Sequence, residues 1–218
     1  SDISQWDTSK VTSLVKTFYS ATSFNSDISQ WDTSIVTTLQ ETFYNATSFN
    51  SDLPNWNTSS VVYNLEGTFK EATSFNGDLT NWDTSRLVKF TWTFNGATSF
   101  NGDISRWITS KVTSLQETFK GATSFNGDIS QWDTSSVKAL WDTFSYASAF
   151  NGDISDWDTS SVTDFDYTFN EATSFNRDLS KWDVGAALYV TDTLLNTSLD
   201  DCNKGSIYES WSPQNTDF

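Results

Sequence analysis

The residues of this sequence that could do chemistry are carboxylates and hydroxyls. Of 218 residues, 28 are Asp or Glu, 12 are Lys or Arg and none is His, leaving a formal net charge of -16. Without His, the commonest general base and metal ligand is missing, and with it the usual means of most hydrolase and zinc chemistry. The carboxylates recur in columns. One lies just after a tryptophan, at Asp7, Asp32, Asp83, Asp133, Asp158 and Asp183, with Asn57 and Ile108 in the same place. Another lies two residues after the Asn of each turn, at Asp27, Asp52, Asp78, Asp103, Asp128, Asp153 and Asp178. A carboxylate in nearly every copy of a unit reads as structural, holding a turn through its backbone N–H groups. None stands out from its column as an acid/base pair, and no nucleophile motif is present, so no catalytic residue is assigned and the chain is not read as an enzyme. Stacked Asp and Asn oxygens could host a calcium ion, but no EF-hand or nonapeptide calcium pattern occurs, so no cofactor and no metal site are assigned. Cys202, the single cysteine, can form no internal disulfide.

These columns exist because the chain repeats. Trp6, Trp31, Trp56, Trp82, Trp107, Trp132, Trp157 and Trp182 are spaced by 25 residues, with one step of 26 between Trp56 and Trp82. A fixed period in this range signals a solenoid, whose units bury their apolar sides against one another. After each Trp, apolar residues fall as at Val11, Leu14, Phe18 and Ala21, a spacing that predicts a short helix with Ser9 at its start. Thr17 and its equivalents through Thr193 are expected to bond back along that helix. Ile-Ser-x-Trp-Asp-Thr reads as a short parallel strand with Ile, Trp and Thr inward and the Trp neighbours outward. The expectation is an α/β solenoid, a leucine-rich-repeat-like right-handed array of eight units over residues 1–194. Parallel strands would line one face and helices the other. Residues 195–218 leave the period and read as a carboxy-terminal cap with Leu199, Ile207 and Trp211 as its contacts. Ser1 to Trp6 begin mid-unit, so the chain reads as a processed or truncated piece whose amino-terminal cap, or further repeats, lie elsewhere.

The unit Phe-Asn-Gly-Asp-Ile-Ser-x-Trp-Asp-Thr-Ser-x-Val-Thr-x-Leu-x-x-Thr-Phe-x-x-Ala-Thr-Ser resembles the BspA-like surface-protein repeat, a family of about 25 residues first catalogued as a mycoplasma domain of unknown function. The resemblance covers about residues 1–199. Family members usually carry Met where this chain has Leu14 and Thr17 and their equivalents. The resemblance implies a divergent leucine-rich-repeat array on a cell surface, often linked to adhesion, and supplies no catalytic residues.

Two uses of such an array follow. The first is a cell-surface or secreted scaffold that binds a protein or glycan through its strand-lined face. The partner-binding residues would be Asp83, Arg106, Ile108, Asp133, Asp156, Asp158 and Lys181, where Arg106 and Ile108 interrupt two regular columns side by side. Carboxylates on strands about 4.8 Å apart would repel by roughly 1 kcal/mol per pair in water, a cost that a cationic partner would relieve. The alternative is ice binding through a hydroxyl ladder of Thr22, Thr47, Thr73, Thr98, Thr123 and Thr173, which Ser148-Ala149 interrupts; a purely structural block of a longer extracellular protein is a third reading. The acidic balance argues against nucleic acid and anionic membranes, and no stretch approaches the roughly 18 apolar residues of a membrane span. Sequons at Asn45, Asn57 and Asn196 would permit glycosylation in a secretory pathway.

Overall fold

The computed structural model describes residues 2–217. Eight units stack along the chain, but they are not built from alternating strands and helices. Among the described residues regular structure is confined to a two-stranded parallel sheet, β1 (Tyr63–Asn64) with β2 (Leu87–Lys89), and one helix, α1 (Asp201–Trp211). The α/β leucine-rich-repeat-like array expected from the sequence is therefore overturned, in both its strands and its helices.

The expected strand is a turn. In each unit the Trp backbone N–H donates to the Ile or Leu three residues earlier, as from Trp107 to Ile104 O at 3.1 Å. A second turn closes from Val112 N to Thr109 O at 2.8 Å. The extended backbone lies instead where a helix was expected. Single parallel bridges join Lys89, Ser114, Ala139, Asp164 and Tyr189 in sequence, each just before the first inward residue of the next turn.

The expected helix is two turns. Thr17 N donates to Leu14 O at 3.1 Å and Ala21 N to Phe18 O at 3.0 Å. The third residue of each turn has positive φ, Lys16 at 56° and Ser20 at 54°, and both positions stay left-handed through all eight units as far as Asp192 and Asn196. A right-handed helix cannot pass through a left-handed residue every fourth position. Consecutive turns of this kind put an inward residue at every third or fourth place, so Val11, Leu14, Phe18 and Ala21 mimic one face of a helix. Only Gly67, Gly96 and Gly121 meet the left-handed requirement with a glycine. The others cost about 1–2 kcal/mol each in steric terms, and they are held by neighbours. Each of the first seven units sends these N–H groups to the following unit, as Lys16 to Gln40 O at 3.1 Å and Ser20 to Tyr44 O at 2.7 Å.

Those bonds are part of a row. Alternate N–H groups of one unit, at Phe90, Trp92, Phe94 and Gly96, donate to Ser114, Gln116, Thr118 and Lys120 of the next at 2.8–3.2 Å. Side chains add further rungs. Trp132 Nε1 donates to Ile104 O at 3.2 Å, and Asn126 N donates to Asn101 Oδ1 at 2.9 Å, in a ladder running from Asn25 to Asp200. The Thr42 hydroxyl lies 2.7 Å from Leu39 O and 3.0 Å from Leu14 O, so it bonds back within a turn and across to the preceding unit. Thr at this place thus closes the layer with hydrogen bonds.

The core is columnar. Phe119 stacks on Phe94 at 5.7 Å, on Phe144 at 5.6 Å and on Phe125 of its own unit at 4.0 Å. A Trp column runs beside it, with Trp107 and Trp132 at 6.4 Å and 1° between planes. Such aromatic pairs contribute about 0.5–1.5 kcal/mol each beyond the area they bury. At the carboxy-terminal end α1 is capped by Asp200, whose side chain accepts from Asn203 N, and it buries Ile207 and Trp211. Leu199, before the helix, is also buried.

Candidate functional site

Eight copies of a Leu-x-x-Thr-Phe-x-x-Ala run lie side by side, and the residues marked x form a face. The framework residues, most often Leu, Thr, Phe and Ala, turn into the core, while both left-handed turns lift their central residues away from it. The framework repeats from unit to unit; the lifted residues do not. One column reads Lys16, Glu41, Gly67, Trp92, Glu117, Asp142, Tyr167, Asp192, and its neighbour reads Tyr19, Tyr44, Lys70, Asn95, Lys120, Ser145, Asn170, Leu195. Asn95, Asp142 and Ser145 are covered by the side chains around them.

Packed in register, these side chains partner one another. Tyr19 and Tyr44 stack at 4.6 Å, with Lys16 5.3 Å above the Tyr19 ring and 3.3 Å from Glu41. Lys70 lies 4.7 Å over Trp92 and 5.7 Å over Tyr44, which makes an aromatic platform with a cation held in it. Further along, Lys120 Nζ is 2.8 Å from Asp142 and 4.0 Å from Glu117, while Asn95 donates to Glu117 at 2.9 Å. Beyond them, burial raises the Asp164 carboxyl above its ordinary value, reinforced by the charges of Asp166 and Asp142. Tyr146 stands exposed at the next left-handed position. The extra residue of the 26-residue step falls beside this face. The register shifts between Tyr63 and Asn64, and Tyr63, at φ 80°, stands 56% exposed with Lys89 6.0 Å over its ring.

The residues singled out from the sequence lie along the turns around Trp. Arg106 and Ile108 flank buried Trp107 and are exposed, and the Ile108 backbone is tied to Thr84, accepting from its hydroxyl at 3.0 Å. Asp133 and Asp158 are exposed and Asp83 is half-buried, and each accepts from the backbone N–H of the Ser two residues on. Hydrogen bonds from that Ser hold the Asp83 and Asp158 carboxyls below the ordinary value, with its hydroxyl the larger cause and its backbone N–H the smaller. Asp156 and Lys181 form an exposed ion pair at 2.5 Å, which raises the Lys181 ammonium. The structure thus pairs Asp156 with Lys181, leaves Arg106 and Ile108 on either side of Trp107 and Asp158 across Trp157 from Asp156, and places Asp83 and Asp133 in other units.

The Thr-Ser ladder is present but engaged. Thr47, Thr73, Thr98 and Thr123 each donate their hydroxyl to the carbonyl of the equivalent Thr one unit earlier, at 3.1–3.4 Å, and Ser198 donates to Thr173 O. Thr22, in the first unit, accepts at its carbonyl from Thr47. Among the described residues no three His, Cys, Asp or Glu side chains are placed to hold a metal ion, and no helix is long and apolar enough to cross a membrane.

Sequence reasoning misses the variable face, because its residues read as the exterior of a helix. The signal that finds it is the contrast within Leu-x-x-Thr-Phe-x-x-Ala, whose fixed positions scarcely change while its free positions take every chemical class.

No curated protein and no solved structure matches the chain. A family model does, described as Mycoplasma protein of unknown function, DUF285, over residues 1–107 and again over residues 88–204. With nearly its whole length accounted for by those two matches, the chain belongs to this mycoplasma-type repeat family of unknown function.

Proposed function

We propose that the chain is a surface-exposed or secreted scaffold that binds a protein or glycan partner, in the manner of an adhesin, through the face of paired left-handed turns. The observation that carries this reading is the alternation of a fixed framework with outward residues that differ from unit to unit. Repeat arrays offer extended surfaces on which single positions can vary without disturbing the fold. Tyr19, Tyr44, Trp92 and Tyr146 supply amphipathic contact area, and Lys16, Lys70 and Lys120 place cations among the carboxylates. Aromatic rings with adjacent polar groups suit both sugar rings and protein hot spots. The Trp-flanking residues Arg106, Ile108, Asp156 and Lys181 offer a second, more uniform edge.

Screening the chain on glycan and protein arrays tests the proposal, followed by two variants against whatever binds. A triple substitution of Tyr44, Lys70 and Tyr146 by Ser should weaken binding at least about tenfold, since hot-spot residues each contribute roughly 1–2 kcal/mol or more. Arg106→Ala with Ile108→Ala should leave it unchanged. The reverse pattern would assign binding to the Trp edge, and no binding on either array would favour a structural block.

A further inference from the structure

The inter-unit ladder has a direction, and its last rung is open. In the seven contacts between units, alternate N–H groups of the Leu-x-x-Thr-Phe-x-x-Ala run donate to carbonyls of the following unit, as Phe165, Tyr167, Phe169 and Glu171 do to Tyr189, Thr191, Thr193 and Leu195. In the eighth unit the equivalent donors are Val190, Asp192, Leu194 and Asn196. No backbone or side-chain oxygen among the described residues accepts from them. Their conformation is nevertheless the one that pairs elsewhere: Asp192 and Asn196 keep positive φ, and Leu195 N and Thr197 N still close the turns onto Asp192 O and Leu194 O.

Helix α1 covers only part of this end. Trp211 takes the place of the next Trp over Trp182, while Leu194, in the place of the Phe column, is only partly buried. Between the open rung and the helix lies a cleft of about 450 Å³, lined by Val190, Asp192, Leu194, Leu199, Ile207 and Tyr208. Lys204 and Asp217 also line it.

We propose that this edge binds an extended segment of another polypeptide, which adds as a ninth rung. Its carbonyl oxygens, at alternate residues, would accept from Val190, Asp192, Leu194 and Asn196, and a bulky apolar side chain would enter the cleft over Leu194. The occupant is argued from continuity with the inter-unit ladder: the chain itself pairs this donor row with such a segment in each of seven contacts. Strand addition to an open backbone edge is a general mode of peptide recognition, in which main-chain bonds give affinity and side-chain pockets give selectivity. The site is the open backbone edge where the variable columns end at Asp192 and Leu195, and its test does not depend on binding by the rest of that face.

The test is amide hydrogen exchange, read by NMR, with a synthetic peptide of the sequence of residues 114–124 as probe. Exchange at Asp192 and Leu194 should be fast in the free chain and slow at least tenfold with peptide in excess. The amides of Asp142 and Phe144, already paired, should not change. Replacing the peptide residue equivalent to Phe119 by Ser should abolish the protection, as should Leu194→Glu in the protein, with unaltered exchange in the fourth to sixth units showing that the variant is folded. The proposal is overturned if Asp192 and Leu194 are protected without peptide, or stay fast at millimolar peptide, or are protected equally by the Ser-substituted peptide.

Discussion

Trp211, in the terminal helix, stacks on Trp182 at 6.2 Å and donates its indole N–H to Leu179 O at 3.0 Å, as the Trp of one unit does to the unit before it. A helix outside the repeat has thus taken over one side chain of a missing unit. With Trp211 only 1% exposed, Trp211→Ala should cost about 3–5 kcal/mol. The loss should be local, because a repeat array responds through nearest-neighbour contacts. Amide exchange should accelerate in the last two units and remain slow in the fourth and fifth.

Phe119 is the counterpart in the middle of the stack. It is fully buried and in ring contact with Phe94, Phe125, Trp132 and Phe144. Phe119→Ala should also cost about 3–5 kcal/mol, but here the urea transition should broaden or split, since the array is cut into two shorter ones. A single shifted transition of unchanged steepness would argue against columnar packing as the source of stability.

Gly121 sits at φ 68°, and a Cβ built there would meet only Gly96 backbone atoms, at 3.8 Å. Since Tyr146 and Glu171 occupy the same place in later units with positive φ, Gly121→Asn should cost no more than about 1 kcal/mol, while a β-branched Gly121→Val should cost more. Thermal unfolding of the pair ranks them. In a helix the order would change, because both replacements would then improve on glycine.

Acid should weaken the array through its turn carboxylates. Hydrogen bonds from the Ser two residues on hold Asp7, Asp27, Asp32, Asp103, Asp128, Asp153 and Asp158 below the ordinary value of 3.8. Folded-state values below the unfolded ones mean stability that is fully present above the ordinary carboxylate range. It is lost as pH falls through the lowered values. Asp164 has the opposite sign: burial raises it, so its ionisation opposes folding as pH rises past 3.8. Asp164→Asn should therefore raise the urea midpoint at pH 7, by less than about 1 kcal/mol in free-energy terms, and make no gain at pH 3.

Lys120 bridges Asp142 and Glu117 on the variable face. Lys120→Met keeps most of the side-chain volume and leaves those carboxylates without their cation, Asp142 with only 8% of its side chain exposed. It should cost about 1–2 kcal/mol at neutral pH, read as a lower urea midpoint.

How much of this is legible in the sequence varies by residue. The period of Trp6 to Trp182 and the inward places of Leu14, Phe18 and Ala21 can be read directly, because burial leaves its mark on residue type whatever the backbone does. The backbone itself cannot. Spacings of three and four arise from an α-helix and from consecutive four-residue turns alike, and at most of the sixteen left-handed positions the residue is not the glycine that would have announced it. The Asp columns are legible as turn-formers, and Ser135 N on Asp133 is that contact. The variable face is hidden by the same ambiguity: on a helix, Glu117 and Lys120 would be ordinary solvent-facing positions.

The most direct test of the account is the backbone φ of Glu117, Tyr146 and Glu171, measured in solution by NMR from three-bond couplings and residual dipolar couplings. The structure places them at 52°, 58° and 61°, and positive values at all three would establish the paired left-handed turns that lift the variable residues into one face. Values near the helical -63° would restore helices to the repeat, dissolve that face, and contradict the account.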